Sequence, residues 1–201
     1  MPAERTTEMR SRGPRRGAKP VTATSLQAAA AAYVARYDAS SSRLRAVLMR
    51  RVLKARRDGA PIIADVEAAI DAVVARHVGA GIVDDAGYAG RKVASLHRRG
   101  LSVRLIRDKL KREGIGRDDV DHAIDATRAD LAIDREHLDL HAAVAFARRR
   151  RLGPFRTAAE RDERRTRDLA AMGRAGFAFD LARRVIDSED PDALLAQEHA
   201  P

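Results

Sequence analysis

The stretch VDHAID, Val120–Asp125, stands in the middle of the chain and decides how its fold is interpreted. Two variants of it occur elsewhere, VEAAID at Val66–Asp71 and ARRVID at Ala182–Asp187. The copies begin at residues 66, 120 and 182, intervals of 54 and 62 residues. Such a period is typical of small helical modules in tandem. The repetition therefore predicts that the same core position is filled three times.

Apolar spacing and capping residues predict three helices in each repeat. The stripe Val66, Ile70, Val73 and Val74 has the i, i+4, i+7, i+8 spacing of one helix face. Helix beginnings are predicted, in chain order, at a capping box over Thr24–Gln27, near Arg43, at Pro61, at Asp84 or Asp85, at Ser102, at Gly116–Asp118, near Asp134, at a second capping box over Thr157–Glu160, and before Leu181. The hexapeptide lies in the third helix of each repeat.

These helices predict an all-α fold. We expect three tandem three-helix, helix-turn-helix-like repeats that form an elongated curved body with disordered charged tails. Breaks rich in Gly, Pro and Asp set the boundaries between the repeats. The predicted parts are a disordered basic tail (1–20), a first repeat (21–83), a second repeat (84–133), a third repeat (134–187) and an acidic tail (188–201).

The composition favours close-packed helices in a cytoplasmic protein. Hydrophobic residues make up 45% of the chain, whereas aromatic residues make up 3% and Trp is absent. Such a core consists mainly of Ala, Leu, Ile and Val. The sequence contains no Cys, which excludes disulfides and thiolate metal sites and fits a reducing compartment. No uncharged run reaches the ~18 residues of a membrane span, and no heptad pattern predicts a coiled coil, so we expect a monomer without membrane contact.

The charge is strongly basic and unevenly distributed. The formal net charge is +10 and the pI is about 10.8. Residues 1–20 are rich in Arg, Pro and Gly, a composition typical of disorder, whereas residues 187–201 contain carboxylates and no Lys or Arg. With +4 in residues 1–20 and −5 in residues 187–201, the body between the tails carries 10 − 4 + 5 = +11. It therefore attracts polyanions, either nucleic acid or an acidic protein surface.

The second repeat contains the most specific segments. GIVDDAGYA at Gly81–Ala89, LHRRG at Leu96–Gly100 and REGI at Arg112–Ile115 together resemble the central signature of the RecX family, regulators of the RecA recombinase built from three tandem three-helix repeats. The likeness covers about residues 22–187. Its signature positions are Gly81, Asp85, Tyr88, Ala89, Leu110, Gly114 and Ile115.

Two features depart from the family pattern. The first repeat is longer and carries an extra basic run, Met49–Arg57. The third repeat places Arg167 and Asp168 where Leu105 and Ile106 stand in the second repeat, which leaves its register or packing open at this point.

The resemblance implies a non-enzymatic regulator of homologous recombination, DNA repair and the SOS response. Such a protein binds the RecA–DNA filament, limits its extension and suppresses ATP hydrolysis and strand exchange. Outward-facing cations are the candidates for contact with the filament, and single- or double-stranded DNA is a further partner of these basic faces. The candidate residues are Arg98, Arg99, Arg104, Arg107, Lys111, Arg112, Arg148, Arg149, Arg150 and Arg151.

The cationic candidates differ in how well the sequence orders them. Arg104, Arg107 and Lys111 have i, i+3, i+7 spacing and therefore share one helix stripe. The run Arg148–Arg151 covers almost every direction of a helix, so a solvated helix end explains it as well as a polyanion contact does.

The remaining chemical motifs are weak. His137 and His141 have the i, i+4 spacing of zinc-binding helices, but no third ligand accompanies them, so two partly exposed histidines are the simpler interpretation. A helix N-cap explains Asp84 and Asp85 without acid–base chemistry. No phosphate-binding loop occurs. We therefore expect no enzyme activity, cofactor or metal.

Two alternatives remain open from the sequence. A direct DNA-binding protein of the helix-turn-helix type would use the second helix of a repeat in the major groove. The outward faces of these helices lack Asn and Gln, the side chains that recognise adenine through paired hydrogen bonds. A structural scaffold that presents its repeats to another acidic protein is the second alternative.

Overall fold

The structure is a computed structural model, and it describes residues 19–196 apart from the side chains of Arg135 and Glu136. The predicted basic tail lies outside these residues except for Lys19 and Pro20. The described residues form α1 (Ala23–Val34), α2 (Ser41–Arg57), α3 (Val66–Gly79), α4 (Asp85–Arg98), α5 (Val103–Arg112), α6 (Arg117–Asp130), α7 (Arg135–Arg150), a 3-10 turn (Gly153–Phe155), α8 (Ala158–Arg174), α9 (Phe179–Ile186) and α10 (Pro191–Ala196).

The all-helical prediction is confirmed for the described residues, where a single β-bridge between Val21 and Ile62 is the only extended pairing. The chain divides into two compact units, with the boundary between Val83 and Asp84. The first unit contains α1–α3, and the second contains α4–α10. No helix in the 19–196 range is both long enough and apolar enough to cross a membrane.

The repeated hexapeptide fills equivalent core positions. Its first apolar residue is Val66, Val120 or Ala182, and all three are buried. The fifth position of the hexapeptide is isoleucine in all three copies, Ile70, Ile124 and Ile186. Each of these residues is at most 5% exposed. The three copies belong to three separate hydrophobic clusters. One cluster lies in the first unit and two lie in the second unit.

Two helix beginnings in the first unit differ from the prediction. The capping box uses Thr22 and Ser25, not Thr24–Gln27, because α1 begins earlier. The third helix begins at Val66 and not at Pro61. Residues 61–63 are extended instead, since Val21 donates to the Pro61 carbonyl at 2.9 Å and accepts from the Ile63 N–H at 3.1 Å. The Val21–Ile62 bridge fixes both beginnings.

The third repeat keeps its register despite the charged residues in α8. Asp168 is 1% exposed and takes the place of Ile106, while Met172 and Phe177 fill the places of Leu110 and Ile115. The Asp168 carboxylate accepts hydrogen bonds from the Gly153 N–H at 2.9 Å and from Arg156 Nε and Nη2 at 2.7 and 2.8 Å. A buried ion pair thus replaces an apolar contact.

Of the predicted acidic tail, residues 188–196 are described and residues 197–201 lie outside the described residues. Residues 188–196 belong to the predicted acidic tail, but α10 forms there and Pro191 is buried. Leu194 and Leu195 pack against the third hydrophobic cluster. The prediction of disorder is therefore wrong for 188–196, because two Leu side chains give this segment an apolar face to bury.

We predict that Gly100→Ala destabilises the second unit. Gly100 has φ +77°, and an added Cβ would lie 2.6 Å from the Phe146 backbone nitrogen. The loss should be at least about 1 kcal/mol in the free energy of unfolding, from chemical denaturation. Gly90→Ala is the matched control, because this helical glycine has open space around it and should gain about 0.5–1 kcal/mol. Equal effects of the two substitutions would contradict the close approach of Gly100 to the Phe146 backbone.

We also predict that Arg156→Leu costs about 3 kcal/mol of stability. The substitution leaves the Asp168 carboxylate buried and without its cation. The double variant Arg156→Leu with Asp168→Ile, which restores the apolar residue of the second repeat, should recover most of that loss. A double variant no more stable than Arg156→Leu would show that the pair is not the cause.

The same carboxylate should make stability depend on pH. Burial alone would raise the pKa of Asp168, but the hydrogen bonds from Arg156 and the Gly153 N–H hold this pKa below its ordinary value of 3.8. A lowered folded-state pKa contributes stability above pH 3.8 that is lost as the pH falls through the folded-state value. Denaturation measured below pH 4 should therefore show a smaller acid sensitivity in the double variant than in the wild type.

Candidate functional site

Helix α5 is held in place from both of its ends. The Ser102 hydroxyl accepts the Leu105 N–H at 3.3 Å, and Asp139 of α7 accepts the Val103 N–H at 2.7 Å. At the other end the Ile115 N–H bonds to the Leu110 carbonyl at 3.0 Å around Gly114, which has φ +76°. Because the helix is fixed in this way, its outward face has a defined direction.

Burial on one side of α5 determines which residues face outward. Ile106 and Leu110 are fully buried against the core of the second repeat. Arg104, Lys111 and Arg112 are exposed. The predicted outward face of α5 is therefore observed in the structure, and its partner role stays a prediction.

Arg107 differs from its neighbours on the stripe. Its Nε donates to Asp121 Oδ1 of α6 at 2.8 Å, and the Arg107 side chain is 42% exposed. Arg117 Nε lies 3.4 Å from the other oxygen of Asp121. The hydrogen bond from Arg107 lowers the pKa of the Asp121 carboxyl against the effect of partial burial, and Arg117 adds to the lowering. Arg107 is therefore an anchored cation between the two exposed cations Arg104 and Lys111.

A groove of about 860 Å³ runs beside this stripe in the second unit. Apolar side chains of the core form part of its lining, and charged side chains of both signs form the rest. The lining residues are Val103, Arg107, Asp108, Lys111, Ile115, Arg117, Val120, Asp121, Ile124, Leu138 and Asp139. The groove has the apolar area and the paired charges that suit a protein segment.

The repeats differ at one end of this groove. In the third repeat Arg165 of α8 donates two hydrogen bonds, at 2.7 and 2.6 Å, to Asp187, the last residue of the hexapeptide. The position of Arg165 is taken by Val103 in the second repeat. There the corresponding Asp125 pairs at 3.8 Å with Arg128 of its own helix. The second repeat therefore has no ion pair between α5 and Asp125 that corresponds to the Arg165–Asp187 pair.

The signature residues mainly stabilise the second repeat. Tyr88 and Ala89 are buried, and the Tyr88 hydroxyl donates to Glu113 at 3.1 Å. Asp85 lies in the first turn of α4, and Asp84 caps that helix by accepting the Gly87 N–H at 2.9 Å. Gly81 has φ +68°, which ends the preceding helix. The capping interpretation of Asp84 is therefore confirmed.

The cations at the ends of α4 and α7 have different surroundings. Arg98 and Arg99 are exposed beside the buried His97, whose Nε2 contacts the Leu138 carbonyl at 2.8 Å. Arg148 forms an ion pair with Asp192 of α10 and lies over the Phe155 ring, with 5.4 Å to the centroid. Part of the basic run is therefore occupied by the acidic end of the chain.

The other members of the run are directed apart, as expected. Arg149, Arg150 and Arg151 are exposed, and Arg150 lies over Phe146 with 5.7 Å to the ring centroid. Arg151 ends α7 in the left-handed conformation at φ 53°. The four residues do not form one contact face.

Sequence reasoning missed the carboxylates that position the site. Asp121 fixes Arg107 and Asp139 caps α5, and both pairings join residues of different helices. The i, i+4 spacing of Arg117 and Asp121 was the available signal for one of them. His137 and His141 have no group of three metal-binding side chains around them in the described part of the chain.

Comparisons with known proteins agree on one family. Residues 84–124 match the family model described as RecX, second three-helix domain. The chain is 41% identical over 181 residues to regulatory protein RecX of Myxococcus xanthus, covering 89% of this chain and 92% of that protein. It is 31% identical over 159 residues to regulatory protein RecX of Agrobacterium fabrum, covering 78% of this chain and 80% of that protein.

A solved structure has the same fold. The crystal structure of a regulatory protein RecX is similar with a TM-score of 0.52 and 19% sequence identity, covering 83% of this chain and 74% of that chain. Because the sequence identity is this low, the similarity supports only the fold.

We predict that Arg107→Gln raises the pKa of Asp121 towards its ordinary value of 3.8. The substitution removes the hydrogen bond that favours the charged carboxylate. Titration of the side-chain carboxyl carbon by NMR measures the change directly. Arg104→Gln is the matched control and should leave the Asp121 titration as it is. An Asp121 pKa that is the same in both variants would contradict the anchoring of Arg107.

Proposed function

Because this chain belongs to the RecX family of regulatory proteins, we propose that it regulates homologous recombination and DNA repair without catalysing a reaction. It binds the RecA–DNA filament and inhibits filament extension, ATP hydrolysis and strand exchange. It acts in the cytoplasm as a monomer, within the SOS response. The family relationship supports the regulatory role, and the second repeat supplies the surface on which the proposal is built.

The observation that carries the proposal is the rigid cationic face of α5. Arg104 and Lys111 project from a helix whose two ends are capped and whose opposite side is fully buried. Arg107 between them is held by Asp121. The backbone of α5 and the Arg107 side chain are already held in place and lose little conformational entropy on binding, which favours affinity. This face lies in the segment that matches the family model.

The groove beside the face suits a protein partner better than DNA alone. Its lining combines apolar residues such as Val103 and Leu138 with carboxylates such as Asp108 and Asp139. Carboxylates repel phosphates, so these residues disfavour a nucleic acid in the groove. A recombinase segment could place an apolar side chain against the apolar lining and an acidic residue against the cations of the α5 face. Arg98, Arg99 and Arg112 are further exposed cations of the second repeat.

The alternative of sequence-specific DNA binding has little support on α5. Its exposed side chains are Arg104, Asp108, Lys111 and Arg112, and they include neither Asn nor Gln. Phosphate contacts position a protein on DNA but do not specify a sequence. An assay of recombinase inhibition, combined with a shift assay for DNA binding, distinguishes this alternative from regulation of the recombinase.

We predict that Arg104→Glu with Lys111→Glu weakens inhibition of the recombinase. ATP hydrolysis and strand exchange by the cognate RecA on single-stranded DNA are titrated with each protein. Replacing two attractive charges by two repulsive ones should raise the concentration for half-inhibition about 10- to 100-fold. Helical content measured by circular dichroism should stay unchanged, since both side chains are exposed.

The matched control is Arg167→Glu with Arg183→Glu, which removes two exposed cations from α8 and α9. This variant should inhibit as the wild type does. Equal inhibition by the α5 variant and the wild type would refute the proposed face. A wild-type protein that retains DNA in a shift assay but never inhibits the recombinase would favour the DNA-binding alternative.

A further inference from the structure

The first unit carries a basic surface that the proposed function does not use. Helix α2 contains no acidic residue from Ser41 to Arg57. Leu44, Leu48 and Val52 are buried along one side of it. The opposite side therefore faces outward and presents four cations, Arg43, Arg50, Lys54 and Arg57, which we name the α2 stripe.

The α2 stripe is regular enough to follow a chain of phosphates. Its members are spaced i, i+7, i+11 and i+14, so they stay on one helix face over about 21 Å at 1.5 Å per residue. All four side chains are exposed. Within the 19–196 range no carboxylate forms a salt bridge with Arg50 or Lys54, whereas Arg45 on another side of α2 pairs with Asp71 at 2.7 Å. Arg50 and Lys54 are therefore available to an external polyanion.

Two aromatic rings stand at one end of the α2 stripe. Tyr33 and Tyr37 at the end of α1 have ring centroids 5.0 Å apart and an interplanar angle of 36°. Arg43 Nε donates to the Tyr33 hydroxyl at 3.4 Å, which places the ring pair beside the first cation. Tyr37 is 57% exposed. In a chain with 3% aromatic residues, the exposed Tyr37 ring beside the cations is a surface on which a base can stack.

We propose that the α2 stripe and the Tyr33–Tyr37 pair form a binding surface for single-stranded nucleic acid. The cations follow the phosphates, and an unpaired base stacks on the exposed Tyr37 ring. Duplex DNA offers no free base face, so it would use the cations alone. An acidic protein would also meet the cations, but carboxylates do not stack on an aromatic ring as a base does. The combination of both features therefore favours unpaired nucleotides.

This surface is independent of the proposed filament contact. It lies wholly in the first unit, while the α5 face lies in the second unit. It also gives a role to the extra basic run Met49–Arg57, which the resemblance to the family left unexplained. The test therefore contains no recombinase, so its result and the result of the inhibition assay are separate.

Tyr37→Ala tests the stacking. The full chain is titrated with a labelled single-stranded oligodeoxythymidine and followed by fluorescence anisotropy. Loss of one stacked base should weaken binding about 5- to 100-fold, and Tyr37→Phe should bind as the wild type does. Phe179→Ala is the matched control, because Phe179 is also exposed, at 65%, but lies in the second unit. Wild-type affinity in Tyr37→Ala would overturn the proposal.

Two further measurements complete this test. Tyr37→Ala should leave binding to duplex DNA unchanged, and an equal loss on duplex DNA would refute base stacking. The chain contains no Trp and three Tyr residues, so its intrinsic emission reports on tyrosine directly. Saturation with the single strand should quench this emission in the wild type and quench it far less in Tyr37→Ala.

Arg50→Ser with Lys54→Ser tests the cations. Removing two phosphate contacts from a single strand should reduce the slope of log affinity against log salt by about 1.4. Arg167→Ser with Arg174→Ser removes the same charge from exposed positions of α8 and should keep the wild-type slope. The same slope in both double variants would overturn the assignment of the α2 stripe.

Discussion

Burial of the hexapeptide isoleucine is the constraint on which the rest of the structure depends. Ile70, Ile124 and Ile186 each lie in a separate hydrophobic cluster, with almost no exposed surface. A three-helix repeat of this size has few apolar residues to spare, so loss of one such side chain would cost about 2–5 kcal/mol. The second helix of each repeat must turn its apolar side towards this position. Its cations consequently face outward.

The repeats keep this apolar position and vary the polar contacts around it. The third repeat joins α8 to α9 through Arg165 and Asp187 and buries Asp168 under Arg156. The second repeat joins α5 to α6 through Arg107 and Asp121 and leaves a groove next to that pair. The distribution of ion pairs therefore explains why one shared framework offers different surfaces. The α5 face of the second repeat is one result of this variation.

Local signals in the sequence predicted most of the fold. The caps at Ser102 and Asp84 and the helix end at Gly114 depend on residues a few positions away, and each was predicted correctly. Contacts between distant residues were missed. The Val21–Ile62 bridge moves two helix beginnings, and the Asp139 cap on α5 comes from another helix. For the candidate site, the sequence predicted which cations face outward but not which carboxylate anchors Arg107.

Site-specific cross-linking would test the α5 face most directly. The chain contains no Cys, so Asp108→Cys on the exposed side of α5 provides a unique attachment point for a thiol-reactive photo-cross-linker and keeps Arg104 and Lys111. Arg167→Cys provides an exposed comparison site on α8. On illumination with RecA assembled on single-stranded DNA, the probe at position 108 should cross-link to the recombinase and the probe at position 167 should not. Cross-linking from position 167 alone, or from neither position, would contradict a filament contact through α5.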